Sequence, residues 1–121
     1  MKRRTVLKQL SAGAAALALP AWAQSRALVI GQSAAFSGPA AQLGIQLNAG
    51  ARLYFDQLNA AGGINGHQIE LRTADDGYEP DRCKANTDKF IKDDAFALLG
   101  YVGTPTCAAA LPLVNDAKIP F

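Results

Sequence analysis

The sequence has few of the side chains on which metal and nucleophile chemistry depends. Its 121 residues include one histidine, His67, and two cysteines, Cys83 and Cys107. His67 directly follows the tight-turn dipeptide Asn65-Gly66 and has no cysteine or carboxylate at the spacing of a metal ligand. We therefore interpret His67 as an exposed turn residue, and the sequence predicts no metal site.

The motifs of nucleotide-binding and hydrolytic enzymes are also missing. Neither G-x-G-x-x-G nor G-x-x-x-x-G-K-[ST] follows the first predicted strand, and the chain has no G-x-S-x-G sequence for a hydrolase nucleophile. Asp75 and Asp76 are candidates for a general acid–base pair, but adjacent side chains at a strand end point to opposite faces. Solvation and helix-terminus charge explain the two aspartates better, and we predict a non-enzymatic protein with no catalytic residue and no cofactor.

A long membrane-spanning run is absent as well. The apolar run at residues 10–19 is about half of the roughly 20 residues that a spanning helix needs. Basic residues precede this run and an A-x-A sequence follows it: Lys2, Arg3, Arg4, Lys8 and Ala21-Trp22-Ala23. This order predicts a signal peptide at residues 1–23, cleaved after Ala23, and export to the periplasm. The Arg3-Arg4 pair fits the twin-arginine route and also an ordinary secretory signal.

Basic charge is scarce once the signal is set aside. The chain has 12 Lys and Arg against 10 Asp and Glu, and four of the basic residues lie in the signal. Residues 24–121 therefore carry eight basic and ten acidic side chains, a net charge of −2 with histidine neutral. No basic stripe with interleaved aromatic residues remains, so we expect no nucleic-acid partner.

Strand and helix patterns alternate through the rest of the chain. Strands are predicted at residues 27–30, 68–73 and 95–99, with a further strand beginning at 119–121. Apolar helical stripes separate them: Leu47, Ala51, Tyr54, Phe55 and Leu58; Cys83, Thr87, Phe90 and Ile91; Cys107, Leu111 and Val114. This order predicts an α/β fold with a parallel, doubly wound, Rossmann-like sheet and helices on both faces.

Prolines mark the starts of two predicted helices. Pro80 opens the second helix, while Thr104 and Pro105 read as the cap and first residue of the third. Pro112 lies inside the third helical pattern and removes a backbone donor, so we expect a kink or an early end there.

The predicted topology indicates where a ligand would bind. Ligands of such sheets lie beyond the carboxyl ends of the strands, which selects the loops at residues 32–43, 75–80 and 101–106. Small hydroxyl residues and glycines occupy these loops: Ser33, Ser37, Gly38, Gly103 and Thr104. Thr104 at a helix N-terminus would favour an anion such as a carboxylate, and a simple capping role is compatible with that function.

Four segments resemble one family in order and spacing. They are residues 30–39 (IGQSAAFSGP), 58–67 (LNAAGGINGH), 75–80 (DDGYEP) and 100–105 (GYVGTP). They resemble the leucine/isoleucine/valine-binding proteins, the type I periplasmic receptors of ABC importers. The resemblance implies two α/β lobes that close on a small polar solute, often an amino acid, and deliver it to a membrane permease. Residues 24–121 would form an incomplete N-terminal lobe of such a receptor.

The resemblance also implies ligand-binding residues. Thr104 matches the position at which the family uses a serine or threonine hydroxyl on the ligand carboxylate, and Gly103 and Ser37 lie in the same two loops. Leu43 matches a position that is often aromatic in the family, so the leucine is a departure.

A disulfide between Cys83 and Cys107 is predicted because an exported chain with two cysteines on consecutive helices favours a bridge. The family's bridge pairs positions that match Tyr78 and Gly103, so each cysteine is displaced by about one helical turn. The alternative is two separately buried thiols.

Three other functions stay open at this point. A ligand-sensing receptor domain would use the same lobe to regulate, and a truncated chain would be an inactive fragment. A small α/β hydrolase would need a nucleophile and a base that the sequence does not supply.

Overall fold

The computed structural model describes residues 26–121, in which strands and helices alternate. The elements are β1 (Leu28–Ala34), α1 (Ala41–Ala60), β2 (Ile69–Asp75), α2 (Pro80–Lys92), β3 (Ala97–Leu98) and α3 (Thr104–Ala117). The predicted signal peptide at residues 1–23 lies outside the described residues. Within the described part, no helix combines the length and the apolar character needed to cross a bilayer.

The strands form one parallel sheet in the order β2-β1-β3. Pairing of β1 with β2 runs from Leu28 opposite Ile69 to Ala34 opposite Asp75, and Gly31 of β1 lies opposite Leu98 of β3. Parallel neighbours joined through helices confirm the predicted α/β class. No strand is assigned at residues 119–121, but the Leu98 N–H donates to the Pro120 carbonyl at 2.8 Å, so this segment lies beside β3.

The first strand is longer than predicted. We expected it to end at Gly31, but β1 continues to Ala34, and residues 31–35 are buried. A Cβ on Gly31 would lie 2.7 Å from Phe90 Cγ and 2.9 Å from Leu98 Cδ2. Gly31 is therefore a close-packing position under the core and not a chain turn.

The long helix α1 makes its closest backbone approach to the chain after β1 at Gly44. Gly44 is its buried residue, and a Cβ there would lie only 2.0 Å from the Ala35 carbonyl oxygen. The predicted inner stripe is wrong in part, because Leu47 is 44% exposed and Tyr54 is 59% exposed.

Helices α2 and α3 pack together over the core, whose buried members are Cys83, Phe90, Leu98, Ala110 and Val114. The predicted inner face of α2 is confirmed, with Cys83, Thr87 and Phe90 buried. The predicted inner face of α3 is wrong at two of its three positions, where the buried residue is the one before the predicted residue. Thr106, Ala110 and Val114 are buried, whereas Leu111 is exposed and Cys107 is partly buried.

The predicted Thr104 cap of α3 and the early end predicted at Pro112 are wrong. The helix begins at Thr104 itself and its N-cap is Gly103, which makes no side-chain capping hydrogen bond. The helix also continues through Pro112 to Ala117. Pro112 and Ala108 lie on the exposed face, where water can reach the Ala108 carbonyl that has lost its backbone donor.

Candidate functional site

The Asp75 carboxylate joins the loop after β1 to the turn after β2. It accepts hydrogen bonds from the backbone N–H groups of Phe36 (2.8 Å) and Gly77 (2.9 Å) and from the Ser37 hydroxyl (2.5 Å). The Arg82 guanidinium lies 3.3 Å from the same carboxylate. The hydrogen bond from Ser37, followed by that from Phe36, lowers the pKa of Asp75 to about 2. Asp75 is therefore a charged anchor that fixes two of the predicted ligand loops relative to each other.

Asp76 anchors the same region from inside. Its buried side chain accepts hydrogen bonds from the Ser33 hydroxyl and the Tyr78 backbone N–H, each at 2.8 Å. Asn86 on α2 donates to the Ser33 hydroxyl at 3.1 Å. Both carboxylates are thus occupied with structural hydrogen bonds, and neither faces the other as a general acid–base pair would.

The second and third loops touch through Tyr78 and Gly103. Gly77 and Tyr78 both have left-handed backbone angles, with φ of 57° and 70°. A Cβ on Gly103 would lie 2.6 Å from Cε2 and 2.7 Å from Cζ of the Tyr78 ring. Because Gly103 also has a φ of 106°, this position needs glycine for both its backbone conformation and its close contact.

The third loop leads into the N-terminus of α3. The buried Thr106 hydroxyl donates to the carbonyls of Val102 and Gly103, at 2.6 and 2.8 Å, and fixes the first turn of the helix. Thr104 is exposed at this end. The first backbone N–H groups of a helix lack intrahelical partners, so the edge presents hydrogen-bond donors beside the Thr104 hydroxyl.

A buried glutamine links this edge to α1. Gln32 is 1% exposed, donates to the Gly100 carbonyl at 3.1 Å and accepts a hydrogen bond from Asn48 at 2.7 Å. The sequence indicated neither Gln32 nor Thr106 as important. A glutamine next to an apolar strand pattern does not by itself indicate a buried structural role. The partners of Gln32, Gly100 and Asn48, are distant in the chain, so the sequence pattern does not reveal them.

The model for a family described as periplasmic binding protein matches residues 27–121, which is nearly all of the described chain. This chain belongs to the periplasmic binding protein family. The predicted family and the predicted type I, α/β fold are confirmed.

Relatives and solved structures support that assignment. The chain is 32% identical over 83 residues to a leucine-, isoleucine-, valine-, threonine- and alanine-binding protein of Pseudomonas aeruginosa, with 69% of this chain and 22% of that protein covered. A possible leucine/isoleucine/valine-binding protein from Rhodopirellula baltica superposes with a TM-score of 0.77 and 37% identity over 81% of this chain and 27% of that one.

A third match is a branched-chain amino acid transporter substrate-binding protein from Streptococcus pneumoniae, solved in complex with isoleucine. It has a TM-score of 0.74 and 32% identity, and the match covers 78% of this chain and 27% of that one. The chain thus spans less than a third of the length of these proteins. They are solute-binding proteins and not enzymes, which confirms the prediction of a non-enzymatic protein.

In this periplasmic binding protein, contacts connect three of the four predicted ligand residues, and the fourth lies apart from them. The Ser37 hydroxyl is 3.6 Å from the Cβ position of Gly77, next to Tyr78, and Tyr78 contacts Gly103, which precedes Thr104. Ser37, Gly103 and Thr104 are therefore parts of one connected edge. Leu43 is 58% exposed in the first turn of α1 and is not among the residues that these contacts join.

Both cysteines are free thiols in the structure, so the predicted disulfide is not formed there. Cys83 is fully buried on α2, and Cys107 is partly buried on α3 because the inner face of that helix passes through Thr106 and Ala110 instead. Burial raises the pKa of the Cys83 thiol to about 11, and the neighbouring Cys107 contributes to this rise.

A cavity of about 440 Å³ lies at the opposite, amino end of the strands. It is lined by Arg26, Ala27, Leu28, Val29, His67, Asp94, Ala95 and Phe96. His67 is partly buried and its Nδ1 lies 2.9 Å from the Arg26 carbonyl, so the interpretation of an exposed turn residue is wrong. No group of three or more potential metal ligands occurs among residues 26–121.

Proposed function

We propose that this chain is part of the substrate-binding component of an ABC importer for amino acids, branched-chain amino acids or related small polar solutes. The names of the relatives and the isoleucine complex of one of them support a solute of this class. The observation that carries the proposal is the exposed Thr104 hydroxyl at the N-terminus of α3, beside the Gly103 backbone.

The chemistry of this edge suits a carboxylate. The Thr104 hydroxyl and the backbone N–H groups of Thr104 and Thr106 are donors, while Pro105 in the same turn has no N–H, and the helix dipole adds partial positive charge at the same point. Arg82 and Asp75 pair with each other, so neither presents a free charge to a solute. Donors at this edge would orient the carboxylate of an amino acid. The ammonium group and the side chain of the amino acid would have to be recognised by other residues.

The remaining parts of the proposal concern the whole protein. We propose that residues 1–23 are a signal peptide removed in the periplasm, that residues 24–121 form an incomplete N-terminal lobe, and that a membrane permease is the partner of the complete receptor. A second lobe would enclose the solute and exclude water, which strengthens each charged hydrogen bond. The chain alone should therefore bind amino acids far more weakly than a two-lobed receptor.

An amide-resolved NMR titration of the chain with L-isoleucine tests the site. We expect binding only in the millimolar range, with the largest shifts at Gly103 and Thr104. Thr104→Val removes the hydroxyl while keeping the shape, and it should raise Kd about fivefold, as expected for the loss of one hydrogen bond worth about 1 kcal/mol at an exposed site. Thr73→Val, on the exposed face of β2, is the matched control.

Micromolar or tighter binding by the monomeric chain would contradict the proposal that the chain contains only one side of a two-lobed binding site. If saturating isoleucine, leucine and valine leave the Gly103 and Thr104 signals unchanged, the proposed site is wrong.

A further inference from the structure

We infer that Tyr78 is a specificity-determining residue of this site, and that its hydroxyl donates a hydrogen bond to the solute carboxylate alongside Thr104. This inference rests on the proposed function. In the family that the sequence resembles, the matching position belongs to a disulfide, so the family pattern does not supply this role.

The backbone fixes the direction of the Tyr78 side chain. A φ of 70° is uncommon for a bulky residue, and such conformations persist only where surrounding contacts hold them. The buried Asp76 supplies those contacts: its carboxylate accepts the Tyr78 N–H at 2.8 Å, and its carbonyl accepts the Glu79 N–H at 2.9 Å. Asp76 therefore holds the backbone of Tyr78 in this conformation, and the contact of the ring with Gly103 shows that the side chain is directed toward the third loop.

The contact with Gly103 places the phenol end of the ring at the start of α3. The two ring atoms nearest the Cβ position of Gly103 are Cε2 and Cζ, and Cζ is the atom that carries the hydroxyl. Thr104 is the next residue and the first of the helix. The Tyr78 hydroxyl thus lies beside the donors that the proposed function assigns to a carboxylate.

The Tyr78 hydroxyl is also available for a ligand. The side chain belongs to a residue that is 39% exposed, and no hydrogen bond to this hydroxyl forms among residues 26–121. Tyr101 on the same edge differs, because its hydroxyl lies 3.0 Å from the Thr87 hydroxyl and its ring packs edge-on against Phe121 at 5.0 Å. Tyr101 is a structural residue, whereas Tyr78 has an unused polar group at the solute side.

The groups around the Tyr78 hydroxyl favour a hydrogen bond in which this hydroxyl is the donor. The N-terminus of α3 favours negative charge, and the neighbouring groups are donors, so an acceptor on the solute fits between them. A phenol hydroxyl that donates to a carboxylate forms a charge-assisted hydrogen bond. The ring below it would form an apolar wall for the adjoining carbons of the solute. The solute class is therefore a carboxylate with an apolar substituent, and its uncharged amide should bind less well.

The test uses the same NMR titration of the chain with two probes, L-isoleucine and L-isoleucinamide. Tyr78→Phe keeps the ring against Gly103 and removes only the hydroxyl. We expect it to raise Kd for isoleucine by about fivefold to tenfold and to leave Kd for isoleucinamide nearly unchanged. Tyr101→Phe and Tyr54→Phe serve as controls, since one removes an internal hydroxyl and the other an exposed hydroxyl on α1.

The outcomes separate the two proposals. If the unmodified chain binds isoleucine at Gly103 and Thr104 but Tyr78→Phe binds it equally well, the inference about Tyr78 is overturned and the proposed function stands. An equal loss for isoleucine and isoleucinamide also overturns it, because that pattern indicates a shape effect. If the unmodified chain shows no isoleucine-dependent shifts, both proposals fail.

Discussion

Asp75 and Asp76 are adjacent in the sequence, yet they hold different parts of the site. Asp75 binds the loop after β1 through Phe36 and Ser37, whereas Asp76 is buried and fixes the turn at Tyr78. Neither interaction requires a ligand. The edge proposed to bind a solute is therefore already organised by charge and hydrogen bonding within the described chain.

Replacement of Asp75 by asparagine should lower stability at neutral pH. The folded pKa of about 2 lies below the ordinary value, so the ionised carboxylate stabilises the folded state above about pH 4, and this contribution is lost as pH falls toward about 2. The side chain is 32% exposed, so after allowance for solvent screening we expect a loss of about 1–2 kcal/mol at pH 7. Urea unfolding at pH 7 and at points down to pH 2 measures the difference.

Asp56→Asn is the matched control, because Asp56 is an exposed carboxylate on α1. The interpretation of Asp75 would be wrong if both variants lost stability equally at pH 7, or if Asp75→Asn kept the full acid dependence of the unmodified chain.

The sequence predicted only part of the site at this scale. Ser37, Gly103 and Thr104 were placed correctly on one edge, because strand ends of a parallel sheet meet there whatever the details of the side chains. Tyr78 was named only as the match to a disulfide position. Its backbone conformation combines two consecutive left-handed residues with a hydrogen bond to the buried Asp76, and periodicity does not reveal either feature.

At the scale of elements, glycine positions decide how closely the helices approach the sheet. Gly44 of α1 lies directly against the Ala35 carbonyl, while Gly50, six residues further along the same helix, has open space on its Cβ side. The two positions have the same residue and the same helix, so they form a natural pair for comparison.

Gly44→Ala should destabilise the chain and Gly50→Ala should not. A Cβ at Gly44 would meet backbone that cannot rotate away, and forced overpacking costs about 1–3 kcal/mol. At Gly50 the same change should stabilise by roughly 0.5–1 kcal/mol, since alanine loses less conformational freedom in a helix. Thermal or urea unfolding measures both. Equal effects at the two positions would show that α1 does not rest on the Ala35 carbonyl.

The α3 helix shows why the predicted inner face was shifted. The sequence pattern favoured the apolar residues Cys107 and Leu111, but the buried positions are held by Thr106, whose hydroxyl bonds to the carbonyls of Val102 and Gly103, and by the small Ala110. Apolar size is a poor guide where two helices approach closely. The α2 face was predicted correctly because its stripe contains Phe90, which the core requires in order to cover Gly31.

At the scale of the whole molecule, the predicted export implies cleavage of the chain after Ala23. We expect the protein recovered from the periplasm to have the mass of residues 24–121, because the charged, apolar and A-x-A order precedes that point. Intact-mass spectrometry of periplasmic and cytoplasmic fractions measures this mass. A membrane-bound product that retains Met1 would contradict the prediction, and Arg3→Lys with Arg4→Lys should block export only on the twin-arginine route.

The same spectrum tests the Cys83–Cys107 bridge, which we propose for the exported protein although both thiols are free in the structure. Oxidation by a periplasmic thiol oxidase would remove two protons and two electrons, and the mass would fall by about 2 Da. A mass equal to that of the reduced chain, with two thiols titrated after unfolding, would exclude the bridge.

The strand order β2-β1-β3 has a consequence for the time course of synthesis. The central strand is made first, but Leu28 pairs with Ile69 and Ile30 pairs with Ala97, so each partner follows about 40 and about 70 residues later. At about 5–20 residues per second, β1 would leave the ribosome with both edges open for several seconds before either neighbour existed. During that interval the nascent chain offers an apolar strand to chaperones and to the export machinery, and the order of the sheet sets how long it does so.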